Sequence, residues 1–347
     1  MADVARKAGV SKTAVSYALN GQRGVSPATR DRVLAIARTM GFTPNMAARA
    51  LSGAESGAVG LALCRPARTL GVEPFFMELI SGIEAELSAG SRALTLQVVT
   101  DHDTEIAIYE RWFAERRVDG VFLVDVRVSD RRLPAIQRLR LPAVAIAGPG
   151  DFDGLPAVWS DDAAALTEAV EYLYALGHRR IARVGGMPDL LHTTIRTRAF
   201  TSVCRRLGVE QAITIPADFS GEDGSRATRR LLSGTPPPTA ILYDNDIMAV
   251  AGLAVAQEMG VPVPAELSLI AWDDSLLCRV VHPPLTALSR DVSAYGAAAA
   301  RCLLDIITVG AGQDVQHATA HLMPRGSTAR PAKPVVPQPE PFQEAER

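Results

Sequence analysis

The feature that most constrains this chain is a change of period at Ala58. Beyond it, short apolar runs alternate with longer amphipathic stretches, the runs being Ala58–Leu63, Leu94–Thr100, Val121–Val126, Ala143–Ala147, Ile181–Gly185, Ala240–Tyr243 and Leu267–Ala271. A strand, a covering helix and a further strand bury both faces of a parallel sheet. The rhythm therefore predicts α/β architecture with helices on both sides. The stretch is too long for one comfortable sheet and reads as two similar α/β lobes, placed at residues 58–328. Residues 329–347 hold five prolines and almost no apolar periodicity, which predicts a disordered tail.

Before Ala58 the pattern is helical. Val4, Ala5 and Ala8 make an apolar face that Gly9 ends, and Ser11 is placed to cap a helix running to about Leu19. In that helix Ala14, Val15, Ala18 and Leu19 form one apolar stripe, with Lys12, Thr13, Ser16, Tyr17 and Asn20 opposite. A third helix is expected from Ser26 as cap and Pro27 in its first turn, burying Val33, Leu34, Ile36, Ala37 and Met40 and stopping at Gly41. Two short helices joined through Gly9-Val10, with a third behind them, make a helix-turn-helix over residues 1–43. Pro44–Leu51 is Ala-rich but only about two turns long, and a helix that short is marginal alone in water. Residues 44–57 thus read either as a plain linker or as a hinge that orders only when held.

Charge divides along the same boundary. Residues 1–57 carry eight Lys/Arg against three Asp/Glu, whereas the whole chain has a net charge of −2. A basic module on an acidic body points to nucleic-acid contact at one end only. The four cysteines, Cys64, Cys204, Cys278 and Cys302, form no C-x-x-C pair, so neither a zinc site nor a disulfide framework is expected. No run approaches ~20 consecutive apolar residues, and the first residues lack a signal peptide's apolar stretch, so a soluble cytoplasmic protein without membrane contact is expected. His317 and His321 are four apart but lack the H-E-x-x-H setting of a metal site, and His178 follows Gly177 at an expected helix end. No G-x-G-x-x-G, P-loop or G-x-S-x-G occurs, so no enzyme activity, cofactor or metal is expected.

The run DVARKAGVSKTAVSYALNGQRGVSPATRDRVLAIARTMGFTPNMAARAL strongly resembles the DNA-binding headpiece and hinge of the LacI/GalR family of bacterial transcription regulators. The segments ALGHRRIARVGG, RTRAF, AILYDNDIMAVAGLAVAQEMGVPVPAELSLIAWDD and HPPLTALSRD resemble that family's effector-binding core, of the periplasmic-binding-protein type. The resemblance implies an all-α helix-turn-helix headpiece on a two-lobed, parallel-sheet α/β core. It also implies a homodimer that binds a palindromic double-stranded DNA operator under control of a small effector, a sugar or nucleoside-like compound.

In a helix-turn-helix the second helix enters the major groove. The resemblance gives that role to Lys12, Thr13, Ser16 and Tyr17, of which Lys12 can donate to guanine or phosphate. The family commonly has arginine at the position of Tyr17 and often touches phosphate upstream of Asp3, where this sequence has only two residues. In the hinge, Leu51 matches the minor-groove wedge, with Ala48 and Arg49 beside it. For the effector, the resemblance marks Arg196, four residues before Phe200. Open α/β sheets bind ligands at their strand ends, where Asn245 and Asp273 follow expected strands. An arginine, an amide and a carboxylate can hold vicinal hydroxyls, with Phe219 or Phe75 stacked on a sugar face. Trp272 reads as packing. Competing readings are a small-molecule binding module without DNA function and an α/β enzyme; the first leaves the headpiece unexplained and the second lacks a catalytic constellation.

Overall fold

The computed structural model describes residues 1–19, 23–42, 55–65 and 70–331. Its first unit is three helices, α1 (Ala2–Ala8), α2 (Lys12–Leu19) and α3 (Pro27–Thr39). Gly9 ends α1 in the left-handed region, at φ 66°, a conformation that costs a residue with a β-carbon free energy. Ser11 Oγ accepts from the Ala14 amide at 3.1 Å, and Ser26 Oγ accepts from the Thr29 amide at 3.2 Å, so both expected caps form. Val4, Ala5, Ala8, Val15, Ala18, Val33 and Ala37 close a small core. Met40 does not join it. It is the C-cap of α3 and stands 38% exposed, and Leu34 is only half-buried.

The body holds two six-stranded sheets. The first is built from β1 (Ala58–Cys64), β2 (Ala93–Val99), β3 (Val121–Leu123), β4 (Ala143–Ala147) and β5 (Ala157–Trp159), together with β11 (Val315–Gln316). Its order is β11-β5-β4-β3-β1-β2, parallel throughout. The second contains β6 (Arg180–Gly185), β7 (Gln211–Pro216), β8 (Ala240–Tyr243), β9 (Ser268–Trp272), β10 (Thr286–Ser289) and β12 (His321–Met323). Its order is β12-β10-β9-β8-β6-β7, with only β12 antiparallel. The helices that cover them are α4 (Pro74–Ala89), α5 (His102–Ala114), α6 (Arg132–Leu139), α7 (Asp162–Leu176), α8 (Leu191–Leu207), α9 (Gly221–Leu232), α10 (Asp246–Glu258), α11 (Leu276–Val280) and α12 (Val292–Val309).

The lobes are not consecutive in sequence. After β10 the chain returns to the first lobe, lays α12 against α4, adds β11 at that sheet's edge, and crosses back to place β12 on the second. The α4–α12 contact is close because both helices carry glycine there. A β-carbon at Gly82 would collide with the Ser293 carbonyl, and one at Gly296 with the Leu79 carbonyl. The apolar length of α12 is used here: Tyr295, Ala299 and Leu303 join Leu61, Leu79 and Phe122 in the first lobe's core.

Several sequence expectations need correcting. The run Val121–Val126 is a strand only to Leu123, since Asp125 adopts φ 49° and turns the chain toward the other lobe. Strands β5, β7, β10, β11 and β12 carried no clear apolar run. Ala329 belongs to the core rather than to the tail: its amide donates to Ser268 Oγ at 3.1 Å and its carbonyl lies 2.9 Å from His178 Nε2. His178 is thus a buried tie whose other nitrogen meets Thr239 Oγ1 at 2.9 Å. The expected hinge residues Ala48, Arg49 and Leu51, the polar Asn20 and the tail from 332 onward lie outside the described residues.

Candidate functional site

Between the lobes lies a cleft lined by side chains of both, the kind of concave site in which α/β proteins hold small ligands. The five residues expected to meet an effector, Phe75, Arg196, Phe219, Asn245 and Asp273, all line it. The positioning is local chemistry at strand ends. Asn245 stands two residues after β8 and Asp273 directly after β9, while Arg196 projects from the second turn of α8.

Arg196 is the best-held of these. Its Nε and Nη2 bind Asp162 Oδ2 at 2.8 and 2.7 Å, its Nη1 donates to the Asp244 carbonyl at 3.2 Å, and its guanidinium carbon stands 3.6 Å from the centre of the Trp272 ring. Trp272 therefore packs, as read, but it packs as the platform for this arginine. Asp273 sits at φ 66° with Oδ1 3.5 Å from Arg290 Nε, a contact too long to satisfy either buried atom. Burial, the largest influence on it, holds the Asp273 carboxyl above the usual aspartate range. Asn245 is more committed than the sequence suggested. Its Oδ1 caps α10 by accepting from the Met248 amide at 2.9 Å, and its Nδ2 donates to the Phe219 carbonyl at 2.9 Å, leaving one amide hydrogen for a ligand. Phe219 is enclosed beneath the Arg65 guanidinium, 4.7 Å away, and lies over Gly186, where any β-carbon would collide with its ring. Phe75 faces Arg290 at 5.2 Å.

Sequence reasoning missed Arg65, Glu73, Asp125, His192, Arg290 and Tyr295, which line the same cavity. Arg65 grips Asp125 in a fork at 2.8 and 3.1 Å. Glu73 is buried with Oε2 unpartnered, and burial pushes its carboxyl up to about 7. The signal was available for some: Arg65, Asp125 and Arg290 each follow a strand of the sheet by one or two residues, where α/β clefts collect their polar groups.

At the other end, α2 exposes Lys12, Thr13 and Tyr17, with Ser16 half-buried between them. This helix has no acidic residue in its first turn, which leaves its positive end open to a phosphate or base edge. The Tyr17 ring is laid against the turn before α3. A β-carbon on Gly24, which adopts φ 126°, would come within 2.7 Å of Tyr17 Cδ2.

Comparison with known proteins gives two family matches. Residues 1–45 match "Bacterial regulatory proteins, lacI family", and residues 170–328 match "Periplasmic binding protein-like domain". The transcriptional repressor CytR of Escherichia coli (strain K12) is 32% identical over 337 residues, covering 94% of this chain and 96% of that protein. The structure of a LacI family transcriptional regulator from Bifidobacterium animalis subsp. lactis is 37% identical with a TM-score of 0.74, covering 81% of this chain and all of that one. The CelR–cellobiose complex is 28% identical with a TM-score of 0.73, covering 93% and 98%.

Proposed function

Because the chain belongs to the LacI family of bacterial transcription regulators, we propose that it binds a palindromic operator as a homodimer under control of a neutral polyhydroxylated effector, a sugar or nucleoside-like compound, in the inter-lobe cleft. The observation that carries the effector class is the cleft's charge. Its lining holds five carboxyl groups, Glu73, Asp125, Asp162, Asp244 and Asp273, beside three guanidiniums, Arg65, Arg196 and Arg290; Arg183 behind the cleft also pairs with Asp244, and burial holds Glu73 and Asp273 above the usual carboxyl range. Glu73 Oε2, Asp273 Oδ1 and Arg290 Nε have no hydrogen-bond partner, and Asn245 keeps one amide hydrogen, so the free groups offer both acceptors and donors to ligand hydroxyls. Phe75, only partly buried, supplies a face for the apolar side of a sugar ring, whereas Phe219 is already covered by Arg65 on one side and Gly186 on the other. An anionic ligand such as a sugar phosphate would meet unpaired carboxylates instead. The bound cellobiose of the related CelR complex is in keeping with this reading.

For DNA, Lys12, Thr13, Ser16 and Tyr17 read the major groove, and Ala48, Arg49 and Leu51 of a hinge over residues 44–57 enter the minor groove. A two-fold operator asks for two headpieces, and apolar side chains left in solvent supply a surface to join the bodies. Met77 on α4 and Leu276 and Val280 on α11 are more than half exposed. The decisive experiment is a mobility shift on the promoter next to the gene, with sugars, nucleosides and their phosphates added in turn. A shift that a neutral compound alters and its phosphate does not is the expected result; no binding to that promoter at any protein concentration would count against the reading.

A further inference from the structure

Beside the effector cleft but outside its lining, one cluster among the described residues gathers three side chains with metal-ligating atoms. Cys64 ends β1, and His102 and Glu105 stand one turn apart at the start of α5. A ligand atom from each, the Cys64 sulfur, a His102 ring nitrogen and a Glu105 carboxylate oxygen, all lie within 4.8 Å of one another. The Glu105 side chain is wholly enclosed. Its Oε1 accepts from Tyr109 Oη at 2.5 Å and from Arg132 Nη1 at 2.7 Å, while Oε2 has no hydrogen-bond partner and stands 3.8 Å from His102 Nε2. A buried carboxylate oxygen without a donor is unfavourable, and this one is turned toward the imidazole and thiol.

Charge makes the same point. Glu105 and Asp130 share the single buried cation Arg132, so that trio carries one net negative charge. The other guanidinium acting on Cys64, Arg127, is already paired with Asp189 of the second lobe. A cation held by the three side chains would answer the charge that Arg132 leaves uncompensated.

We propose that Cys64, His102 and Glu105 form a binding site for a divalent transition-metal ion of the zinc type, at the cleft-side end of the first lobe. A thiolate and an imidazole beside one carboxylate select zinc or cobalt over magnesium or calcium. As the sulfur–metal bond forms, the Cys64 proton leaves to solvent; no electron transfer is involved. His102 would bind through a ring nitrogen of the neutral imidazole. Donor atoms around one such ion stand about 3.5 Å apart. Cys64 and His102 are only half-buried, so small rotations of these two side chains bring the cluster from its present spacing to that one, with water completing the shell. The site neighbours function: Arg65, the residue after Cys64, lines the effector cleft.

The test uses the full chain freed of metal with a chelator. Titrated with cobalt(II), the parent should take up one ion and develop thiolate-to-cobalt charge-transfer absorption. Cys64→Ser should lose that absorption, His102→Gln should bind zinc more than tenfold more weakly in competition with a chromogenic chelator, and Cys302→Ser should match the parent. Circular dichroism on each variant reports folding, and His102→Gln alone decides if Cys64→Ser fails to fold. No thiolate absorption in the parent, or parental zinc affinity in His102→Gln, would overturn the proposal.

Discussion

Arg196 lies on Trp272, its guanidinium carbon 3.6 Å from the ring centre, while its fork grips Asp162 at 2.8 and 2.7 Å. The arginine is therefore fixed before any ligand arrives, and binding need not order a long side chain. The same arrangement makes it structural. Removing one partner of a buried pair typically costs about 3–5 kcal/mol, and Arg290 Nη1, 3.7 Å from Asp162 Oδ1, places the cost here toward the lower end. Arg196→Ala should lower the unfolding free energy of the body, measured in urea, by that order and abolish the effector response. Adding Asp162→Ala should recover part of the stability but none of the response. Equal midpoints for Arg196→Ala and the parent would mean that the pair contributes nothing to the fold.

A second expectation concerns the helix pair that anchors the returning chain. Gly82 and Gly296 allow α4 and α12 to touch backbone to side, and a β-carbon at either meets a carbonyl oxygen rather than a yielding side chain. Overpacking of this kind costs about 1–3 kcal/mol, and rigid backbone on the other side places it toward the upper end. Gly82→Ala and Gly296→Ala should each lower the melting temperature, whereas Gly90→Ala, where the nearest atom is 3.5 Å away, should not. A parental melting temperature in both close-contact variants would show that the helices can separate without cost.

The cleft should also carry a pH dependence. Glu73 is lifted from its ordinary 4.5 to about 7 by burial, with Arg65 only partly opposing the effect. The folded state thus keeps this proton after the unfolded chain has released it. Stability is fully present below pH 4.5 and declines as pH rises through 7, by about 3 kcal/mol for a shift of this size. His178, held low by burial, pulls the other way below its ordinary 6.5, so the parent's curve alone mixes the two. The difference between Glu73→Gln and parent isolates the carboxyl: the variant should gain relative stability between pH 5 and 8 in urea titrations. A difference that does not change with pH would show that Glu73 ionises normally.

What could be read from sequence follows how local each cause is. Caps at Ser11 and Ser26, the glycine stop at Gly9 and the buried runs of β4 and β8 depend on a few neighbouring residues, and they stand where expected. Strands β11 and β12 are edge strands of two or three residues whose existence depends on a chain that crosses between lobes, and no local periodicity encodes that. The site divides similarly. Arg196 and Asp273 were legible from motif and strand end, but Asn245 spends its amide on a cap that sequence could also have suggested. Glu73 reaches the cleft from the residue before α4, at no strand end, and only the tertiary fold shows it there.

The last prediction separates contact with the bases from its support. Tyr17 offers one hydroxyl and a ring, so it cannot make an arginine's bidentate contact to guanine and should favour another base or a thymine methyl. Its ring rests where Gly24 has no side chain, which fixes the direction in which the hydroxyl leaves α2. Gly24→Ala should displace the ring and, with φ at 126°, also strain the turn, weakening operator binding without selecting a new sequence. Tyr17→Arg should instead change the preferred half-site, by about 1–3 kcal/mol per altered base pair. Leu51→Ala, which removes the proposed wedge, should reduce affinity and DNA bending while the half-site stays the same. Selection from a random pool with each variant beside the parent gives the sequences, and circular-permutation gel shifts give the bend. Parental half-sites from Tyr17→Arg would remove Tyr17 from the base-reading set, and parental bending by Leu51→Ala would remove the wedge.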